Sequence, residues 1–182
     1  MKIKKIFAIL LAVLTFALLV TGCSKTPIPT VKEGKFNFSV TYEVDGEEET
    51  VSSVCVCKFV KLVPTLEGAY REWDSYIEDS TLSAKLEKTR GYLLLKTTAD
   101  GEIYLDLNLS AEYFMADPNF WITIENTDEP VSDISPRLFI DYNAAKYEEI
   151  GESYSEDAAV LESYGVKIIR YEYDAPIENE YK

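Results

Sequence analysis

The chain has 182 residues, 32 acidic against 18 basic, a formal net charge of −14 and no histidine. Without histidine there is no His-dependent triad or dyad, no His-ligated metal and no near-neutral imidazole proton shuttle. Such acidity repels nucleic acid and anionic phospholipid head groups, so neither is expected as a partner.

Met1 to Thr21 has the layout of a secretory signal: Lys2, Lys4 and Lys5 precede an uncharged run, Ile6 to Val20, whose only polar residue is Thr15. As a helix that run spans about 22 Å, short of the ~30 Å hydrocarbon core of a bilayer. It ends in Val20-Thr21-Gly22-Cys23. This stretch resembles the bacterial lipoprotein lipobox, with Thr21 where Ala or Ser is more common. The resemblance implies diacylglyceryl transfer to the Cys23 sulfur and cleavage between Gly22 and Cys23. It also implies a protein held by its lipid anchor at the extracytoplasmic face of the cell membrane. Each buried CH₂ contributes about 0.8 kcal/mol and one acyl chain binds only marginally, so the second chain decides whether the anchor holds. Loss of residues 1–22, with their three lysines, leaves 160 residues and takes the net charge from −14 to −17. That length suffices for one domain with its own core.

Residues 23–34 then form the lipidated cysteine and an extended linker. Ser24 to Gly34 is polar, carries Pro27 and Pro29, and predicts a semi-rigid tether reaching roughly 30 Å. Residues 35–174 read as a single β-rich domain. Phe36, Phe38, Val40, Tyr42 and Val44 alternate with polar residues, the period of a half-buried strand. Asp45-Gly46 suits a two-residue hairpin turn, which pairs Val40 with Val51, Phe38 with Ser53 and Phe36 with Cys55. In that register Cys55 and Cys57 share the face of the aromatic stripe. As metal ligands they supply half of a structural zinc site at most. Bridging them in a strand strains disulfide geometry. Two small buried core residues are the expectation. Val54, Val56 and Val60 make the other face apolar as well, which predicts a strand inside the sheet.

Tyr70 to Ile77 is a strand or an aromatic-rich crossing segment carrying Trp73 and Tyr76, with Trp73 expected in the core ahead of an exposed sugar-stacking platform. Asp79 to Arg90 is either a short helix, through Leu82 and Leu86, or a loop. A second hairpin is expected at Asp100-Gly101, with Leu94 opposite Leu107 and Tyr92 opposite Leu109. Lys96 then falls on the apolar face opposite Leu105, so either it snorkels at an edge or the register differs. Phe120 to Glu125 and Arg137 to Tyr142 are two more strands. The acidic loop between them, with Asp128, Glu129 and Asp133, and the pair Asp117 and Asn119 offer oxygen ligands for Ca²⁺ but lack EF-hand spacing. A helix starts at Ser155, buries Val160, Leu161 and Tyr164 and stops at Gly165. Val166 to Tyr173 is the last strand, and residues 175–182 a loose tail.

These elements predict an all-β, mainly antiparallel, β-sandwich-like fold of about eight strands with one short C-terminal helix. The whole resembles small β-rich lipoproteins of unknown function from Gram-positive bacteria, a resemblance that implies an address and no chemistry. No catalytic, cofactor-binding or metal site is expected. The leading expectation is a non-enzymatic module that binds an envelope protein or a glycan. Trp73, Tyr76 and Trp121 are its ligand-contact candidates if they share an exposed face. The alternatives are a carboxylate-based hydrolase acting on glycans, which needs two acids across a cleft, and a Ca²⁺-stabilised structural envelope protein.

Overall fold

The computed structural model describes residues 26–65, 68–118 and 134–182. Cys23, Trp121, the expected strand at 120–125 and the acidic loop through Asp133 lie outside the described residues. Within them, eight strands form two antiparallel four-stranded sheets that face each other across one core, the sandwich that the alternating pattern predicts. The first sheet contains β1 (Glu33–Val44), β2 (Glu47–Thr65), β3 (Gly68–Ile77) and β8 (Val166–Tyr173), in the order β3-β2-β1-β8. The second contains β4 (Leu93–Thr97), β5 (Gly101–Asp106), β6 (Arg137–Tyr142) and β7 (Tyr154–Ser155), in that order.

The first hairpin folds in the predicted register. Phe36 faces Cys55, Phe38 faces Ser53 and Val40 faces Val51. Asp45 and Gly46 both take the left-handed region, with φ of 54° and 87°, and this turn matches the strand twist. The stripe Phe36, Phe38, Val40 and Tyr42 is buried, and so are Cys55 and Cys57 on the same face. Opposite them the second sheet contributes Leu93, Ile103, Leu105, Leu138 and Ile140. β2 lies between β1 and β3, as its two apolar faces predict, and Val56 on its outer face is fully buried between its cross-strand neighbours Lys35 and Tyr76.

The second hairpin departs from its expected register. Thr98 N–H donates to the Gly101 carbonyl, so the chain reverses at Ala99 and Asp100, one residue earlier than an Asp100-Gly101 turn. A bulge between Leu94 and Lys96 then sets Leu93 opposite Leu105 and Leu94 opposite Tyr104. An odd shift moves a side chain to the other face, so Leu93 is buried and Leu94 points outward. Lys96 lies on the edge strand, and its ammonium reaches Asp45 Oδ1 at the tip of the first hairpin and the Tyr164 carbonyl.

Among the described residues there are four short helices rather than one. α1 (Ser80–Lys88) resolves the ambiguous segment: Asp79 caps it by accepting from Thr81 and Leu82 N–H, and Leu82 is buried. α2 (Ala111–Phe114) starts at Ser110, and α3 (Ala144–Ile150) starts at Asn143 and ends on Gly151. α4 (Ala158–Ser163) is the predicted helix, but Asp157 caps it, because Tyr154 and Ser155 are drawn into β7 beside Asp141 and Ile140. Gly165 ends it with φ of 75°.

The linker and tail also differ from expectation from Thr26 onward. Ile28 and Lys182 exchange both backbone hydrogen bonds, Thr30 N–H donates to the Glu180 carbonyl, and the Asn179 amide bridges both main-chain groups of Val31. Pro29 is fully buried. Neither segment has an apolar period of its own. Each satisfies the other's backbone groups, which is why each looked loose when considered singly.

Candidate functional site

Outward positions on the two sheets carry different chemistry. On the first sheet they are tied by charge: Lys35 to Glu78, Lys58 to Glu33, Lys167 to Glu43 and Asn37 to Asp174. On the second sheet rings stand among charged residues, Glu102, Asp106, Arg137 and Asp141, with Arg137 3.9 Å from Asp106. Ile103 and Leu105 point inward, so Tyr104 points out; Leu138 and Ile140 point inward, so Phe139 points out. Leu94, Tyr104 and Phe139 are successive cross-strand partners in one row. The Tyr104 and Phe139 rings stack with centroids 5.4 Å apart at 25°, and Tyr92 meets Phe139 edge-on at 5.0 Å. Tyr154, 58 % exposed, continues the face on β7 beside Asp141.

Carboxylates are interleaved with these rings. Tyr104 donates its phenolic hydrogen to Glu102, and this bond, with burial and the charge of Glu102, pushes its pKa up to about 12. A cleft of about 380 Å³ runs over the face, lined by Tyr92, Asp106, Arg137, Phe139, Asp141, Tyr154 and Glu156 among others. A second cleft of about 610 Å³ lies between α1, β3 and the end of β5, and Tyr92 and Asp106 line it too. Its far wall is Tyr76, 44 % exposed, and Cys55 contributes to its floor.

The structure does not unite the aromatic candidates chosen from sequence. Three residues apart on one strand, Trp73 and Tyr76 project to opposite faces. Trp73 packs edge-on against Phe59 at 5.6 Å, joins the core margin and donates Nε1–H to Asp117 Oδ2 at 2.6 Å. Tyr76 stands on the outer face, with the Lys58 ammonium 5.4 Å from its ring centre. Trp121 lies outside the described residues.

Asp117, a calcium candidate in the sequence, is buried beside a cation. It accepts from Arg71 at 2.8 Å, and the side chains are 1 % and 2 % exposed. Arg71 also donates Nε–H to the Pro27 carbonyl and lies 4.5 Å from the Tyr181 ring centre, so it holds both terminal segments. Forty-six residues separate the pair, and no local pattern announces it. Among the described residues, no three His, Cys, Asp or Glu side chains converge to hold a metal. Cys55 and Cys57 are free thiols with their sulfurs 3.8 Å apart. The hydrogen bond with Cys55, together with burial, pushes the Cys57 thiol above its ordinary range.

No family model, curated protein or solved structure matches the chain. No helix among the described residues is long and apolar enough to cross a membrane.

Proposed function

We propose that this chain is a lipid-anchored extracytoplasmic binding module that works without catalysis and presents the outer face of its second sheet to a ligand. The observation that carries this reading is the cluster of Tyr92, Leu94, Tyr104, Phe139 and Tyr154 at the surface. The first sheet also exposes rings, Tyr70 and Tyr76 on β3 and Tyr171 on β8, but these lie on its two opposite edge strands, whereas Tyr92, Tyr104 and Phe139 touch one another. A contiguous exposed apolar patch among polar residues is the ordinary mark of an interaction surface. Support for the address is the Val20-Thr21-Gly22-Cys23 stretch after an apolar run. Anchored at Cys23, the body begins three residues later at Thr26. It therefore sits within roughly 10 Å of its attachment point rather than on a long leash.

Two experiments test the two halves. Cys23→Ala is expected to leave the chain unprocessed or to release it from membranes; unchanged attachment of a processed chain would refute the anchor. Tyr104→Ala with Phe139→Ala is expected to abolish ligand capture by the intact protein while preserving its fold. A carboxylate hydrolase acting on glycans is the second reading, favoured by Asp106, Asp141 and Glu156 lining one cleft. Release of new reducing ends from a bound polysaccharide would select it.

A further inference from the structure

Resting on the reading of the second sheet as the binding face, we infer that its ligand is a neutral polysaccharide lying as an extended chain along two adjoining clefts, from Tyr76 to Tyr154. The first support is geometric. The clefts of about 610 and 380 Å³ share Tyr92 and Asp106 as lining residues, so they adjoin on the way from β3 to β7. Both are open rather than enclosing, which suits several linked units better than one compact molecule.

The second support is the pairing of ring faces with hydrogen-bond acceptors. A pyranose has an apolar C–H face that lies on an aromatic ring and hydroxyls that donate around its edge. Tyr92, Phe139 and Tyr154 line the smaller cleft and offer such rings, and Tyr104, stacked on Phe139 at 25°, holds that ring in place. Asp106, Asp141 and Glu156 line the path among the rings instead of forming a distant rim. Ionised carboxylates only accept, so they complement a polyhydroxyl donor, Asp141 and Glu156 more than Asp106, which already accepts from Asn108 N–H and faces Arg137 at 3.9 Å. The core of a protein–protein interface, by contrast, is depleted of Asp and Glu, so a protein partner would desolvate these acids without repayment.

The third support is charge. Lining the two clefts are the carboxylates of Glu87, Asp106, Asp141 and Glu156 against the guanidiniums of Arg90 and Arg137. The excess is negative in a chain whose whole charge is −14. An anionic polymer is repelled along the whole path, and a neutral one is not.

Native affinity electrophoresis of the full-length protein in neutral detergent tests this. The gels contain soluble mixed-linkage β-glucan, glucomannan or xylan, with anionic polygalacturonate as the control. At least one neutral polysaccharide should retard the protein, and polygalacturonate should not. Tyr104→Ala and Phe139→Ala, with thermal unfolding checked for each, should each weaken retardation about tenfold, the size of one lost aromatic contact. Tyr154→Ala, at the most exposed ring, is the substitution least able to disturb folding and should act in the same direction. Tyr76→Ala should weaken binding of long oligosaccharides and leave short ones unchanged.

Retardation by polygalacturonate alone, or by none of the polymers, would overturn the glycan inference. If, in that case, a photo-crosslinker at position 104 captures an envelope protein, the binding face stands and only its ligand is wrong. Retardation that survives Tyr104→Ala, Phe139→Ala and Tyr154→Ala would overturn both the inference and the choice of face.

Discussion

Asp-Gly occurs at both hairpins, and the two copies serve different ends. At the tip of the first, Asp45 and Gly46 have φ of 54° and 87°, and an added Cβ on Gly46 would meet nothing within 4 Å. At the start of β5, Gly101 has no such φ, yet a Cβ there would lie 2.1 Å from the Asp141 carbonyl oxygen of β6. One glycine is selected for backbone conformation, the other for the close approach of a neighbouring strand. The first hairpin is fixed by its own turn. In the second, the Thr98 hydroxyl accepts from Asp100 and Gly101 N–H, and Asn143 at the head of α3 bonds both the Ala99 and Asp100 carbonyls.

The sharpest test of this contrast is Gly101→Ala. Backbone cannot yield as a flexible side chain does, so β5 and β6 must part, at a cost of about 3 kcal/mol or more in chemical denaturation. Gly46→Ala keeps its space and meets only left-handed strain, about 1 kcal/mol. Equal costs at the two glycines would erase the distinction.

Next in size is the link between the hairpins. Asp45→Asn preserves a residue that tolerates the turn and removes the charge facing Lys96. Asp45 is largely exposed, so the expected loss is under about 1 kcal/mol and shrinks further in high salt. A larger, salt-independent loss would mean that the turn itself depends on the carboxylate.

The smallest effect is read by pH. Tyr42, in the first hairpin, is pushed up to about 12 chiefly by burial, with Glu49 adding to it; Tyr104, in the second, reaches about 12 chiefly through its bond to Glu102. Both phenols are protonated in folded and unfolded chains below pH 10. Above it the unfolded chain ionises first, so the stability they contribute is lost as pH rises from about 10 through 12. Glu102→Gln should bring the Tyr104 ionisation down in a tyrosinate absorbance titration while leaving that of Tyr42 in place. Movement of both would mean that their environments are not independent.

The contrast between the hairpins also explains how far the sequence could be read. Alternation and a turn that acts through its own φ values are local, so β1, β2 and their register follow from residues 36–57 alone. The second register depends on Asp141 and Asn143, some forty residues further on, and nothing in the Asp100-Gly101 dipeptide reports them. The aromatic face was partly legible. Tyr104 lies between inward-facing Ile103 and Leu105, and Phe139 between Leu138 and Ile140, so period-2 counting puts both rings outside. The same counting separates Trp73 from Tyr76. A lone tryptophan in a small β domain is more often core than platform, and Trp73 packs at the core margin beside Asp117. The Arg71–Asp117 pair and the docking of the termini needed the folded chain, since both join segments far apart in sequence.

The paired ends have a mechanical consequence. Tension applied at the N-terminus first meets the Thr26–Ala69 and Pro27–Arg71 bonds to β3, then the Ile28–Lys182 and Thr30–Glu180 rungs, before it reaches β1. Opening these bonds, together with those of Val31 to Asn179 and of the Lys32 carbonyl to Phe59, would free residues 26–32 as slack of roughly 23 Å at 3.3 Å per residue. The C-terminal residues would lose that partner but stay tied to the end of α2, through Ile177 N–H on the Phe114 carbonyl and Asn179 and Tyr181 on the Met115 carbonyl. The molecule thus carries its own strain relief, engaged by pulling and reset by re-pairing, at the end where the sequence suggested only a leash.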